Sequence, residues 1–506
     1  MDSLLSYRFI NFRALGLSLV FGGVPMICRA EANSVLRPLS LAECIQIALE
    51  HNLDVKVARY GPEIAREHVS LAYGAYEPTF DLAGTHSYSS SPGGIDPQNR
   101  PYAGTTTEGD SYRAGLTGLL PTGLTLNVGG DITGKSGVSG LSPFENADGL
   151  ASIQMRQPLL KNFWIDNVRA TIQVSKKQLK ISELALRQQI MVVVTDVELA
   201  YYDLLLTQER IKVQQQALAL AERLVKESKR RVELGTVARL DEKQAESQLS
   251  ARQADLFGAQ GAFVAQEYIL KNLLSDSFDK WENTRIQPTE ALTIVPTTLD
   301  LHGSWGRGLA QRPDLLQVKT DLERKGIVLK YLKNQTFPQL DLVGSYGQVG
   351  SDRKYSGALE GIRRGDSPFY SFGAVLSIPI AGNRSARANY KASKAELNQS
   401  VANLKRLEQD IMVEIGIAVE TTKTRLAQVD ATKQSKHFAE IALEAEQKKL
   451  DNGRTTSFVV LQLQRDLTAA RLAEVAAVAE YNKALSILSV REGTTFERSK
   501  LYLEVK

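Results

Sequence analysis

Residues 78–84 read Pro-Thr-Phe-Asp-Leu-Ala-Gly, and residues 338–344 read Pro-Gln-Leu-Asp-Leu-Val-Gly. The same phrase stands twice, 260 residues apart. Upstream of it the offset holds without a gap: Leu49 matches Leu309, Asp54 matches Asp314 and Glu63 matches Glu323. Downstream, Pro158 matches Pro379 and Ile190-Met191-Val192 matches Ile411-Met412-Val413, now at an offset of 221. The first half therefore carries 39 extra residues before Pro158. Gly235 and Gly453 then correspond at 218. An ordered series of matches at slowly drifting offset marks a duplicated unit.

Each unit reads in the same order. A helical pattern over 41–76 stops at Pro78, which excludes helix from the residue before it. Alternating, strand-like segments follow at 79–90, 110–120, 123–135 and 149–159, with a Gly/Ser/Pro/Asn-rich loop over 90–109. The second half offers 339–349 and 368–380. Long helices come next, 166–234 and 236–274, then 385–452 and 454–488, with 307–335 as the counterpart of 41–76. In the first long helix Val197, Leu204, Ile211, Leu218, Val225 and Val232 recur at strict sevens, which implies left-handed supercoiling. The alternate seam, Ala200, Thr207, Gln214, Ala221 and Ser228, is small or polar and suggests helices packed sideways around something wet. About 70 helical residues span roughly 100 Å, so the chain is elongated.

Composition narrows the class. Hydrophobic residues make up 43% of the 506, enough for an ordinary core, and the net charge of +4 argues against a nucleic-acid partner. Arg8 and Arg13, an apolar run over 14–27 and Ala30-Glu31-Ala32 read as a secretory signal ending near residue 32. Bulky Ile27 before Cys28 disfavours lipidation there. Cys44 alone then remains, which rules out an internal disulfide and reads as core. No later stretch is apolar for about 18 residues, as a spanning helix requires.

The strand segments have roughly the ten residues of a tilted membrane strand. Leu124, Leu126 and Val128 alternate with Thr125, Asn127 and Gly129, and Tyr112, Tyr346, Phe369 and Tyr370 suit an interfacial girdle. Alternation alone fits a soluble sheet with one wet face equally well. Secretion, the adjoining helical rod and the long polar loops favour the membrane. So few strands cannot close a pore within one chain, and open edges are not tolerated in lipid, so the barrel must close between chains.

The chain resembles the TolC-like outer-membrane factor family over nearly the whole mature length. The resemblance rests on the ordered helix–strand–helix repeat, on Leu41-Ala42-Glu43, on Gln157-Pro158-Leu159-Leu160 and on the glycine-centred helix turns. It implies a mainly α fold with membrane β: a tandem-repeat protomer of coiled-coil helices and short strands, forming a homotrimer with a β-barrel in outer-membrane lipid and an α-helical tunnel in the periplasm. Residues 33–290 would be the first repeat and 291–506 the second, with an equatorial region from 275–301 and the tail after Arg491. The resemblance also implies that the hairpin tips gate the tunnel and meet a periplasmic adaptor and an inner-membrane transporter. Those tips carry Gly235, Thr236, Arg239 and Asp241 in one half and Gly453, Arg454 and Thr455 in the other. Glycine there also simply suits a helix end. Asp241, six residues past Gly235, matches a gate aspartate of the family, but the sixth residue past Gly453 is Val459, which puts a charged gate ring in doubt. Arg454 offers a cross-mouth partner for an acid. The segments 110–120 and 123–135 look like an added hairpin that gives six strands per protomer where the family has four.

No enzyme chemistry is visible. Residues 129–136, Gly-Gly-Asp-Ile-Thr-Gly-Lys-Ser, fit the phosphate-loop pattern, but a Gly/Ser-rich loop follows where a helix N-terminus is required. We therefore expect no nucleotide and an extracellular loop. His51, His68, His86, His302 and His437 form no metal-ligand spacing, and no cofactor is implied. The expected function is a passive, gated exit duct of a tripartite efflux or type I secretion system. The alternative is a periplasmic coiled-coil adaptor without its own pore. Cargo and pump partner are not encoded in any motif.

Overall fold

The computed structural model describes residues 35–139, 142–234, 238–294, 297–380, 382–452 and 454–499. The expected leader, residues 1–32, lies outside them. After β1 (Val35–Leu39), Ser40 and Glu43 form a reciprocal capping box that starts α1 (Leu41–His51). Asn52 breaks the helix that the pattern predicted as continuous. Its Oδ1 accepts the amides of Asp54 and Val55, starting α2 (Leu53–Tyr73), and its Nδ2 donates to the Leu273 carbonyl at 3.0 Å. Then come β2 (Thr79–Ser91), a small hairpin of β3 (Gly94–Ile95) and β4 (Pro101–Tyr102), β5 (Thr105–Leu119), β6 (Thr125–Ser139) and β7 (Ser142–Pro158). The long helices α3 (Asn167–Glu233) and α4 (Arg239–Leu274) and the strand β8 (Thr284–Pro288) complete the first half.

The second half holds α5 (Leu301–Gln311), α6 (Pro313–Asn334), β9 (Gln339–Asp352), α7 (Tyr355–Arg364), β10 (Pro368–Ser377), α8 (Arg384–Asp451), α9 (Ser457–Glu492) and α10 (Thr495–Arg498). The pair α5/α6 repeats α1/α2 at the 260-residue offset, so the helix begins six residues before the expected 307. Here Pro313 stands first in the new helix, and buried Arg312 ties the break to Asp314 at 2.6 Å and Glu414 at 2.8 Å.

The helices form an elongated bundle. α2 and α6 pack beside α3 and α8 near the sheet, and α4 and α9 take their place farther along. α3 alone is 67 residues, about 100 Å. One core joins Cys44, Val55, Val197, Tyr201, Leu204, Leu270 and Leu274, and a second joins Leu315, Ile411, Ile415 and Val419. Burying each such side chain contributes about 1.5–3 kcal/mol. The seam differs from expectation. Ala200, Thr207, Gln214, Ala221 and Ser228 are all buried, whereas Ile211, Leu218 and Val232 are only half-buried. Short side chains let neighbouring helices come close, as where Gln266 of α4 donates to the Ala200 carbonyl at 3.2 Å.

Around the middle of α3, β1 and β8 pair in parallel, Tyr201 donates to the Leu39 carbonyl at 3.1 Å, and α10 buries Phe496. β8 and α10 belong to the 275–301 and tail segments expected at the equator. Cys44 lies in this core with no exposed surface, and burial pushes its thiol up to about 12. In a chain with Cys28 removed or changed to Ser, maleimide at pH 8 is expected to leave the folded protein unmodified and to label it fully in denaturant. Mass spectrometry reads both states, and rapid labelling of the folded form would contradict the burial.

Six strands form one antiparallel sheet in the order β10-β9-β7-β6-β5-β2. The strands of the added hairpin, β5 and β6, lie inside it, held together by a turn in which Gly123 takes φ +84°. Five of the six strands are longer than the ten residues expected, up to 17 in β7, while β10 has ten, and β5 absorbs the end of the predicted 90–109 loop. Register fixes the two faces. Phe80, Leu116, Val128, Ile153, Tyr346 and Tyr370 lie side by side in one row across all six strands. The adjacent row, on the opposite face, is Thr79, Thr117, Asn127, Gln154, Ser345 and Ser371. One face is apolar and exposed, and the other is polar. Tyr112, Tyr346 and Tyr370 belong to the apolar face as expected. Phe369 does not: it pairs with Gly347 on the polar face. Residues 129–136 are neither a phosphate loop nor an extracellular loop. They lie within β6, whose backbone pairs with β5 and β7 on both sides. Among the described residues no helix is long and apolar enough to cross a membrane.

Candidate functional site: the hairpin tips

The α3–α4 and α8–α9 turns lie together at the end of the bundle far from the sheet. Gly235, Thr236 and Gly453 lie outside the described residues; the flanking groups are described. Just above the turns Leu224, Leu443, Leu450, Val460, Leu461 and Leu467 form a local core that clamps the two hairpins together. Below it Arg231, in the last turn of α3, donates to the Leu450 carbonyl at 3.2 Å and pairs with Asp451 at 3.4 Å. A cation there also complements the carboxyl ends of both helices. Arg231 thus ties one repeat to the other at their tips.

The expected site residues divide. Asp241 stands half-buried in the first turn of α4, where an acid stabilises a helix start, and makes no ion pair among the described residues. Arg239, two residues earlier and first in the helix, is exposed. The backbone of Arg454 donates to the Lys449 carbonyl at 2.8 Å, and its side chain is solvent-facing. Thr455 hydrogen-bonds Glu446, and that bond together with Lys449 holds the Glu446 carboxyl below its usual range. In the first hairpin Lys229 and Lys243 both reach Glu246, at 3.1 and 2.7 Å. Each tip is therefore a small polar knot, and the structure does not bring Asp241 and Arg454 together within one chain.

The expected tip segments, 234–241 and 452–458, hold an apolar part that the choice of site residues passed over. Leu234, Leu240 and Phe458 are 69%, 66% and 60% exposed at the turns. Large apolar side chains beside hairpin turns were a usable signal; the Arg231–Asp451 link, between residues 220 apart, was not.

The family model described as outer membrane efflux protein matches residues 44–275 and 306–490, one span in each half. The chain belongs to that family. Outer membrane efflux protein BepC of Brucella suis is 24% identical over 349 residues, covering 68% of this chain and 73% of its own. The cation efflux system protein CusC of Escherichia coli K12 is 23% identical over 274 residues, 54% of this chain and 56% of its own. The CmeC outer membrane channel of Campylobacter jejuni shares the fold, with a TM-score of 0.64 at 17% identity, over 90% of this chain and 86% of its own. The resemblance drawn from the repeats is therefore correct. This efflux protein is an outer-membrane channel whose helices extend from the membrane sheet, and the adaptor alternative falls.

Proposed function

We propose that three copies assemble side by side, joining β2 of one sheet to β10 of the next. The observation that carries this is the apolar row that crosses all six strands and ends at two open edges. In lipid an unpaired edge is costly, and three sheets of six close into a barrel of 18 strands. The helices of the three chains then form a periplasmic tunnel, and the two repeats of each chain, 33–290 and 291–506, contribute equivalent hairpins. The tips, with Gly235, Thr236, Arg239, Asp241, Gly453, Arg454 and Thr455, close the tunnel mouth. A periplasmic adaptor carrying an inner-membrane pump docks on them and opens it. The exposed Leu234, Leu240 and Phe458 give that partner an apolar anchor rimmed by charge. The duct is passive: cargo, whether small molecules or secreted proteins, is chosen by the pump.

Planar-bilayer recording of the purified protein tests the reading. Discrete, long-lived channels in steps of one trimer are expected, and a protein that leaves bilayers electrically silent would refute it. In a separate test, the double change Leu240→Asp and Phe458→Asp is expected to lower cross-linking to a co-expressed adaptor at least tenfold while heat-resistant trimers persist. Undiminished cross-linking would place docking elsewhere.

A further inference from the structure

α7 has no counterpart in the first half and was not legible in the strand pattern. It lies between β9 and β10, at the end of the sheet away from the helices, and packs on β9, β7 and β6. Its side of the sheet is the apolar one. The row Tyr112, Ile132, Gly149, Gly350 runs beneath it, four residues along each strand from the belt row Leu116, Val128, Ile153, Tyr346, with Ala114, Gly130, Ala151 and Gln348 between them on the same face. The seat is built for it. A Cβ on Gly134 would overlap the Tyr355 ring, one on Gly350 would overlap the Ala358 carbonyl, and one on Gly149 would stand 2.8 Å from Cδ1 of Ile362. Ala358 is fully buried, and Tyr355 packs edge-on against Tyr112 at 6.3 Å. Ten residues make a helix about 15 Å long, the width of about three strands at 4.8 Å spacing. The helix therefore lies across the wall rather than along it.

A helix on the apolar face cannot plug the lumen, which the polar face lines. Nor can it sink into hydrocarbon, because its outward surface carries Glu360, Arg363 and Arg364 beside exposed Leu359. That leaves the head-group level. Glu360 is shared by Arg363 at 2.6 Å and Arg364 at 3.1 Å, so one acid serves two cations. Arg353 and Lys354, just before the helix, are exposed and make no ion pair among the described residues. Asp352 is turned to the backbone amide of Arg353. The segment 353–364 thus sets exposed Leu359 beside four cations and one acid, with Glu108, Asp110 and Glu145 lining the cleft that holds Arg353 and Lys354; this amphipathic make-up is that of a helix lying in a membrane interface.

We propose that α7 is an interfacial helix on the outside of the barrel, where Arg353, Lys354, Arg363 and Arg364 bind phosphate-bearing head groups of outer-leaflet lipid. The inference rests on the reading of the sheet as a barrel wall. In the trimer three such helices form an interrupted belt that fixes the depth of the barrel in the bilayer.

The test uses the full-length trimer in nanodiscs of phosphatidylcholine, with and without phosphatidylglycerol. Single spin labels at Ile153→Cys and Leu359→Cys are probed with oxygen, which partitions into lipid, and with a water-soluble nickel chelate. Ile153 is expected to report oxygen alone, and Leu359 to report both, as a head-group site does. A Leu359 label that sees only the chelate, with Ile153 in lipid, overturns the role of α7; an Ile153 label in water overturns the barrel reading itself. Native mass spectrometry then counts retained lipid. The wild type is expected to keep phosphatidylglycerol through activation that strips phosphatidylcholine, and the variant with all four cations changed to Gln is expected to lose it several-fold. Equal retention by wild type and variant, or equal retention of the two lipids, overturns the charge-based recognition.

Discussion

Ile153→Arg is expected to abolish heat-resistant trimers in the membrane fraction, while Gln154→Arg, its immediate neighbour, assembles normally. The two positions differ only in face. Ile153 stands in the middle of the apolar row on a central strand, flanked by Val128 and Tyr346, whereas Gln154 lies between Asn127 and Ser345 on the polar face. An arginine facing hydrocarbon near the bilayer centre costs about 2–4 kcal/mol in a membrane strand. Three copies per trimer multiply that cost to about 6–12 kcal/mol, comparable to the stability of a whole domain. On the lumen side the same side chain stays in water and alters only the field along the pore. Gel migration of unheated membrane extracts and single-channel conductance distinguish the outcomes. If both variants assemble equally, the sheet does not face lipid as described.

Arg231→Glu should open the channel in the absence of any partner. Among the described residues it joins the two hairpins through the Leu450 carbonyl and the Asp451 carboxylate. Asp451 is largely exposed, so screening leaves the ion pair a fraction of a kcal/mol, and the carbonyl bond adds a similar amount. About 1 kcal/mol per chain is modest. A mouth closed by three chains in concert accumulates about 3 kcal/mol, which shifts the closed-to-open ratio about a hundredfold. Planar-bilayer recording at constant voltage is expected to show a much higher open fraction with the trimer intact, and Arg231→Lys, which keeps the charge, should retain most of the closure. An unchanged open fraction in Arg231→Glu would place the closing contacts between chains rather than between repeats.

The repeat, the long helices and the six wall segments were readable because each rests on local signals: Pro at helix ends, sevens along α3, alternation in the strands. What escaped reading depended on partners distant in sequence. Asn52 looks like any helical asparagine until Leu273 supplies its second bond. The small seam of α3 looked wet because burial by a closely packed neighbour leaves no mark on composition. Phe369 joined the girdle by residue type alone, and only its pairing with Gly347 shows that it faces the other way. α7 was invisible because its ten residues are mostly Gly, Ser and charge, and its seat is a set of glycines on three other strands. At the tips, glycine marked where the helices turn; it could not say which side chains bridge the turns.

The hairpin of β5 and β6 also bears on the bore of the assembled duct. At each level along the proposed tunnel the three chains contribute twelve helices, four apiece, and at about 9 Å between axes their perimeter is about 110 Å. A wall of 18 strands spaced about 4.8 Å apart and tilted about 40° has a perimeter of about 110 Å as well. Twelve strands at that tilt would give only about 75 Å, and the pipe would have to taper by a third where it enters the membrane. With the extra pair of strands, the two materials of the proposed duct meet at equal girth, so a closure at the far end, where Arg231 holds the hairpins together, needs no second constriction at the membrane.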